Sequence, residues 1–202
     1  MPHNFQKSLA YENSKATLAD SYYFNQLHIE KIIRFNSGSG NDMVFQRRDI
    51  DLQLYGWNKH TNVSEKFRDF DFNDLYLELY SMYPEVKGWM HKSEANYLAY
   101  FFPKRMIWID KKDLISIFKK YIEPNIIYSD LHVWLANNKN KSGKYKTEIE
   151  VLETNYPVLV INAFNKTANK DWNTVGVSVP FNLLKTCGLV WREYEYKDEN
   201  RI

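Results

Sequence analysis

A chain of 202 residues is of single-domain size and long enough to bury a substantial core. A hydrophobic content of 44% with 16% aromatic residues excludes general disorder. The formal net charge of +2 neither supports nor forbids a polyanionic partner, and the single cysteine, Cys187, excludes an intrachain disulfide and a cysteine-rich zinc site.

Residues 1 to 17 are polar and unpatterned, without the apolar run of a secretory leader, and no stretch approaches the roughly 20 apolar residues of a membrane helix. The expectation is a cytoplasmic protein with no membrane partner. Leu18 to Phe35 spaces Leu18, Tyr22, Phe24, Leu27, Ile29, Ile32 and Ile33 at mostly helical intervals, which predicts an amphipathic helix carrying Glu30. The run Ser37-Gly38-Ser39-Gly40-Asn41 ends it in a turn, and a strand is expected at Met43 to Gln46.

Asp49 to Tyr55 alternates, with Ile50, Leu52 and Leu54 on one face and Asp49, Asp51 and Gln53 on the other. Gly56 to His60 reads as a hairpin turn. Val63 to Arg68 alternates again, setting Val63, Glu65 and Phe67 against Ser64, Lys66 and Arg68. A fourth strand, Asp74 to Tyr80, aligns Asp74, Tyr76 and Glu78 against Leu75, Leu77 and Leu79. Beyond Pro84 and Gly88, Ser93 reads as the cap of a helix reaching Phe101, followed by a strand at Arg105 to Asp110 and a helix at Lys112 to Ile122.

The polar run Asn137 to Lys144 is expected to be a mobile or ligand-ordered loop, between segments at Tyr128 to Leu135 and Thr147 to Leu152 that can be strands. Strands at Val158 to Ile161 and Thr174 to Val179 and a short helix from Pro180 to Leu184 complete the chain. The fold class is therefore α+β (α/β), a central mixed sheet flanked by helices with a β-rich C-terminal extension. The division expected is a polar segment 1–17, a core 18–122, and an extension 123–202 of the same domain, which is expected to extend the sheet or to build a recognition or homodimer surface.

Three successive strands thus place Asp51, Lys66 and Glu78 where they can converge. Carboxylates held side by side resist joint ionisation unless a cation supplies opposite charge, and oxygen-only ligands favour Mg²⁺ or Mn²⁺. A metal so held can activate water and stabilise phosphoryl charge, with a lysine beside the phosphate. Asp49 reads as a solvated edge residue, whereas Asp51 is flanked by apolar Ile50 and Leu52. The histidines are dispersed, and there is no P-loop, dinucleotide fingerprint or nucleophile elbow.

The order helix, strand, Asp-bearing strand, Lys-bearing strand, helix, strand over about residues 18 to 122 resembles the PD-(D/E)xK, or restriction-endonuclease-like, nuclease superfamily. The matching pieces are Gln46-Arg47-Arg48-Asp49-Ile50-Asp51-Leu52, Ser64-Glu65-Lys66-Phe67-Arg68, Gly88-Trp89 and Ser93-Glu94-Ala95-Asn96-Tyr97. The resemblance implies an αβββαβ core and a Mg²⁺- or Mn²⁺-dependent DNA endonuclease. Asp51 would be a metal ligand, Lys66 would stand beside the scissile phosphate, and Glu30 would be the additional acid of the first helix. The family's second acid lies two residues before the lysine, where this chain has Ser64. Glu65 turned inward at a bulge, or Glu78 from the next strand, could replace it, and Glu78 is favoured by face parity. The alternative is a catalytically inactive nuclease-fold protein of a phage or mobile element that binds nucleic acid or protein. Lys104, Arg105, Lys111, Lys112, Lys119 and Lys120, and separately Lys139, Lys141, Lys144 and Lys146, are candidate phosphate contacts. Tyr55, Trp57, Tyr76 and Trp89 are candidate base-stacking residues.

Overall fold

The computed structural model describes residues 5–56 and 59–195, with side chains from residue 14 onward. In chain order the first elements are α1 (Phe5–Gln26), β1 (Lys31–Arg34), α2 (Gly40–Arg47), β2 (Leu52–Gly56), β3 (Lys59–Phe67) and β4 (Asp74–Tyr83). They are followed by β5 (Val86–Lys87), α3 (Trp89–Lys92), β6 (Tyr97–Phe101), β7 (Arg105–Asp110) and α4 (Lys111–Ile117), which runs on into a π turn over Phe118–Ile122. The last are α5 (Tyr128–Asn137), β8 (Gly143–Val151), β9 (Thr154–Lys166), β10 (Asp171–Pro180), α6 (Phe181–Thr186) and β11 (Trp191–Glu195). The fold is α+β, as expected. Among the described residues no helix is long and apolar enough to cross a membrane.

The chain divides into two compact units. Of the described residues, one comprises 5–7, 73–92 and 114–189, the other 8–56, 59–72, 93–113 and 190–195. Residues 73–92, inside the stretch read as the core, belong to the first of these. That unit holds an antiparallel sheet in the order β5-β4-β10-β9-β8. Its apolar faces include Leu75, Leu77 and Leu79 of β4 and Val175, Val177 and Val179 of β10, all fully buried. Gly88 is needed there, because a Cβ on it would lie 2.3 Å from the Glu78 carbonyl oxygen.

The loop 138–142 in this unit has a fixed conformation. The buried Asn162 amide donates to the carbonyls of Asn138 and Lys141, at 3.3 and 2.9 Å.

The second unit holds a mixed six-stranded sheet in the order β1-β2-β3-β6-β7-β11. β1, β2 and β3 form an antiparallel meander, β6 lies parallel to β3, and β7 returns antiparallel to β6. α1 covers one face, packing Ala19, Tyr22 and Tyr23 against Leu52, Leu54, Val63, Ala99 and Phe101. Trp57 and Asn58 of the expected hairpin turn lie outside the described residues, while Gly56 pairs with Lys59 across it.

Several element assignments differ from the sequence reading, each for a local reason. The first helix starts by Phe5 and stops at Gln26, where His28 takes a φ of 52° and Ile29 N–H donates to the Tyr23 carbonyl. Ile32 and Ile33 consequently belong to β1. Met43 to Gln46 is helical because Ser39 caps α2, with its hydroxyl accepting from Asp42 N–H, and Arg47 lies in the last turn. Tyr97 to Phe101 is a strand because it is bordered by strands on both sides and its residues are almost all buried, the pattern of an inner strand. Tyr128 to Leu135 is likewise helical, in α5.

Leu52 is fully buried, so Leu52→Ala should cost about 2–5 kcal/mol, while Leu152→Ala, at a residue 78% exposed, should leave stability nearly unchanged. Urea denaturation midpoints of the two variants check this.

Candidate acid–lysine site

All the residues of this site belong to the six-stranded sheet's unit. α2 ends in a tight turn in which Asp49 N–H donates to the Gln46 carbonyl and Ile50 N–H to the Phe45 carbonyl. Asp49 takes a φ of 55° there, a conformation that Asp tolerates better than most residues. Asp51 follows just ahead of β2, with its N–H donating to the Val63 carbonyl of β3 and its carbonyl accepting from Phe35 N–H. The two acids thereby face β3 as it passes.

Lys66 of β3 joins them. Its Nζ donates to Asp49 Oδ1 at 3.0 Å and to Asp51 Oδ2 at 3.2 Å. Lys111, at the β7–α4 junction, donates to the other Asp49 oxygen, Oδ2, at 3.2 Å. Its place is fixed by its own N–H, which donates to the Asn96 carbonyl. Asp51 Oδ2 also accepts the Glu65 N–H at 2.7 Å. The four side chains sum to zero formal charge. Asp49 and Lys111 are almost wholly buried, while the Asp51 side chain is 35% exposed and is the acid that solvent reaches most easily.

The electrostatics follow from burial. Burial pushes the Asp49 carboxyl up, but the ammonium groups of Lys66 and Lys111 outweigh it and hold it well below the usual carboxylate range. Burial pushes the Lys111 amine down to about 8, against the support of Asp49.

Glu65 points to the opposite face, as its parity with Val63 and Phe67 dictates. There it accepts from Tyr23 Oη at 2.7 Å and from Arg34 at 2.5 and 3.1 Å. Burial raises its carboxyl above the ordinary value, opposed by those same bonds from Arg34 and Tyr23. Arg34 in turn binds Asp20 of α1 at 2.7 Å, so this second network ties the helix to the sheet.

The structure therefore brings Asp51 and Lys66 together and separates the rest of the expected set. Glu78 lies in β4 of the other unit, paired with Gly176 of β10, because the chain leaves β3 for a different sheet instead of folding back beside it. Glu65 does not turn inward, since β3 pairs with β6 in unbroken register through that position, Glu65 opposite Ala99. Glu30 is exposed and lies beyond the end of α1, and Asp20 of α1 binds Arg34. Asp49 and Lys111 were missed as partners. Asp49 reads as an edge residue until its turn is known, and Lys111 reads as one surface lysine among several.

The expected metal pair, Asp51 with Glu78, does not assemble, and among the described residues no three His, Cys, Asp or Glu side chains gather to hold a metal. Asp51 with Asp49 does assemble, both within 3.2 Å of one ammonium. Mg²⁺ is commonly held by one or two carboxylates, its other positions filled by water and substrate phosphate. The oxygen donors present fit such an ion, in competition with Lys66 for the same atoms.

Comparison of the chain with family models, with curated proteins and with solved structures returns no match.

Asp49→Asn leaves the Lys111 ammonium buried opposite an amide and should destabilise the fold by about 3–5 kcal/mol at neutral pH. Because the folded carboxyl titrates below the unfolded value of about 4, its contribution is complete above that pH and is lost as the pH falls through the folded value. Melting temperatures between pH 2 and 7 should fall more steeply on the acid side for the wild type than for Asp49→Asn.

Proposed function

We propose that the chain is a divalent-metal-dependent phosphodiester hydrolase acting on DNA, with Asp51 and Asp49 as the carboxylates and Lys66 as the phosphate-side cation. The observation that carries this reading is the contact of Lys66 with both acids at the start of β2. The reading is also supported by the run of α1, β1, β2 and β3 in one unit, the order with which the αβββαβ core of the PD-(D/E)xK resemblance begins, with α2 inserted between β1 and β2 and with β4, β5 and α3 of the other unit between β3 and β6.

Each residue has a task that its position allows. Asp51, the more exposed acid, would hold a Mg²⁺ or Mn²⁺, with Asp49 behind it. When bound, that ion would supply Lewis-acid stabilisation of the phosphoryl oxygen and a more acidic water. Lys66, 24% exposed, can reach a nonbridging phosphate oxygen and offset its charge. Lys111 keeps Asp49 ionised while buried, and Glu65, through its own N–H, orients the Asp51 carboxylate. The zero charge of the four side chains favours the metal together with the phosphodiester over the metal alone.

A second reading has its own observation. Ser64 stands where the family's second acid belongs, and both oxygens of Asp49 are already bound by lysines, the arrangement of a nuclease fold kept as a nucleic-acid- or protein-binding module.

Incubation of plasmid and single-stranded DNA with Mg²⁺ or Mn²⁺ separates the two. Cleavage should occur with the wild type and with Glu78→Ala, should fall at least about a hundredfold in Asp51→Asn while its melting temperature stays near the wild-type value, and should fall as far in Lys66→Met, assayed at a temperature where that less stable variant is still folded. Cleavage that survives both changes, or is absent from the wild type, rejects the hydrolase reading.

A further inference from the structure

The loop 138–142 joins α5 to β8, the outer strand of the five-stranded sheet. It is held by two buried asparagines. Asn162 donates to the Asn138 and Lys141 carbonyls, while Asn173 donates to the Lys141 carbonyl at 3.2 Å and to Asn162 Oδ1 at 2.9 Å. Asn140 N–H donates back to Asn173 Oδ1 at 3.3 Å, and Ser142 Oγ accepts from Phe164 N–H at 3.0 Å. Burying two amides is costly unless their hydrogen bonds are made, and here those bonds go to the loop backbone. The result is a fixed loop conformation, with Asn140 held at a φ of 58°.

What this fixed loop presents to solvent is positive charge. Lys139 and Lys141 on the loop and Lys144 and Lys146 on β8 are all exposed. Lys166 and Lys170, at the β9–β10 turn on the same end of the sheet, are exposed as well. Residues 138–146 and 162–174 contain these six lysines and one acid, Asp171. Further along the same face of β8 the sign changes at Glu148 and Glu150, so the basic surface has an end.

We propose that this end of the five-stranded sheet is a docking surface for the phosphate backbone of nucleic acid. Lys144 and Lys146, two residues apart on a strand, are spaced about 6.8 Å, which matches the axial rise of two nucleotides at about 3.4 Å each. A linear polyanion of regular charge spacing fits that arrangement, and a loop already fixed in place loses little freedom when it docks. The surface is formed within one unit and is independent of the acid–lysine site.

The test is fluorescence anisotropy of a labelled duplex oligonucleotide in EDTA, with the salt concentration varied. The protein carrying Lys139→Glu, Lys141→Glu, Lys144→Glu and Lys146→Glu should bind at least about tenfold more weakly, with the salt slope reduced by about 0.9 for each phosphate that the protein no longer neutralises. The four Lys→Arg changes should retain binding, which separates loss of charge from loss of fold. In EDTA no metal is present for cleavage, so a failure of the cleavage reading leaves this result intact. Absence of binding by the wild type, unchanged affinity and slope in the Lys→Glu protein, or equal displacement by polyglutamate or anionic vesicles overturns the proposal.

Discussion

Asp49 is a buried carboxylate, and an ionised group in that position survives only if opposite charge is brought to it from several directions. Lys66 reaches it from β3 and Lys111 from the end of β7, so the acid ties the meander β1-β2-β3 to the strand pair β6–β7. Asp51 shares Lys66, and it is left as the more exposed acid of the group. Once one face of β3 is committed to this cluster, the neighbouring Glu65 must satisfy itself on the other face. There Arg34, Tyr23 and Asp20 supply a second charged network beneath α1. The sheet is thus held by ion pairs on both faces as well as by its apolar core.

This arrangement gives the two acids different characters. Asp49 is insulated and fixed in its charge, a scaffold for Lys66. Asp51 has solvent access and an orientation set by the Glu65 N–H, the features expected of a group that meets a ligand. Buried polar side chains serve a comparable purpose in the other unit, where Asn162 and Asn173 have their bonds with loop 138–142. In each unit a costly buried group fixes the position of more exposed charged residues.

Alternation located β2, β3 and β4 well, because half-buried strands write their two faces directly into the sequence. It therefore placed Asp51 and Lys66 on one face and showed Glu65 facing the other way. It could not show which strands become neighbours. β4 has the right parity for a site beside β3, but residues 68–73 carry the chain to another sheet, and Glu78 goes with it. Tyr97 to Phe101 is buried on both sides, and a continuous apolar run has no period that separates strand from helix. The end of α1 depends on a left-handed residue that is not glycine, His28, which leaves no local signal. Lys111 was the least legible of all, since one lysine among Lys104, Lys112, Lys119 and Lys120 is distinguished only by a partner 62 residues away.

The central claim, proposed above, is that Asp51, with Asp49 behind it and Lys66 beside it, holds a divalent cation joined by a phosphodiester. Calorimetric titration of Mn²⁺ into the protein, with and without a nonhydrolysable phosphorothioate oligonucleotide, tests it most directly. One Mn²⁺ site is expected, binding more tightly when the oligonucleotide is present and disappearing in Asp51→Asn. No Mn²⁺ binding under either condition, or binding that Asp51→Asn leaves unchanged, would contradict it.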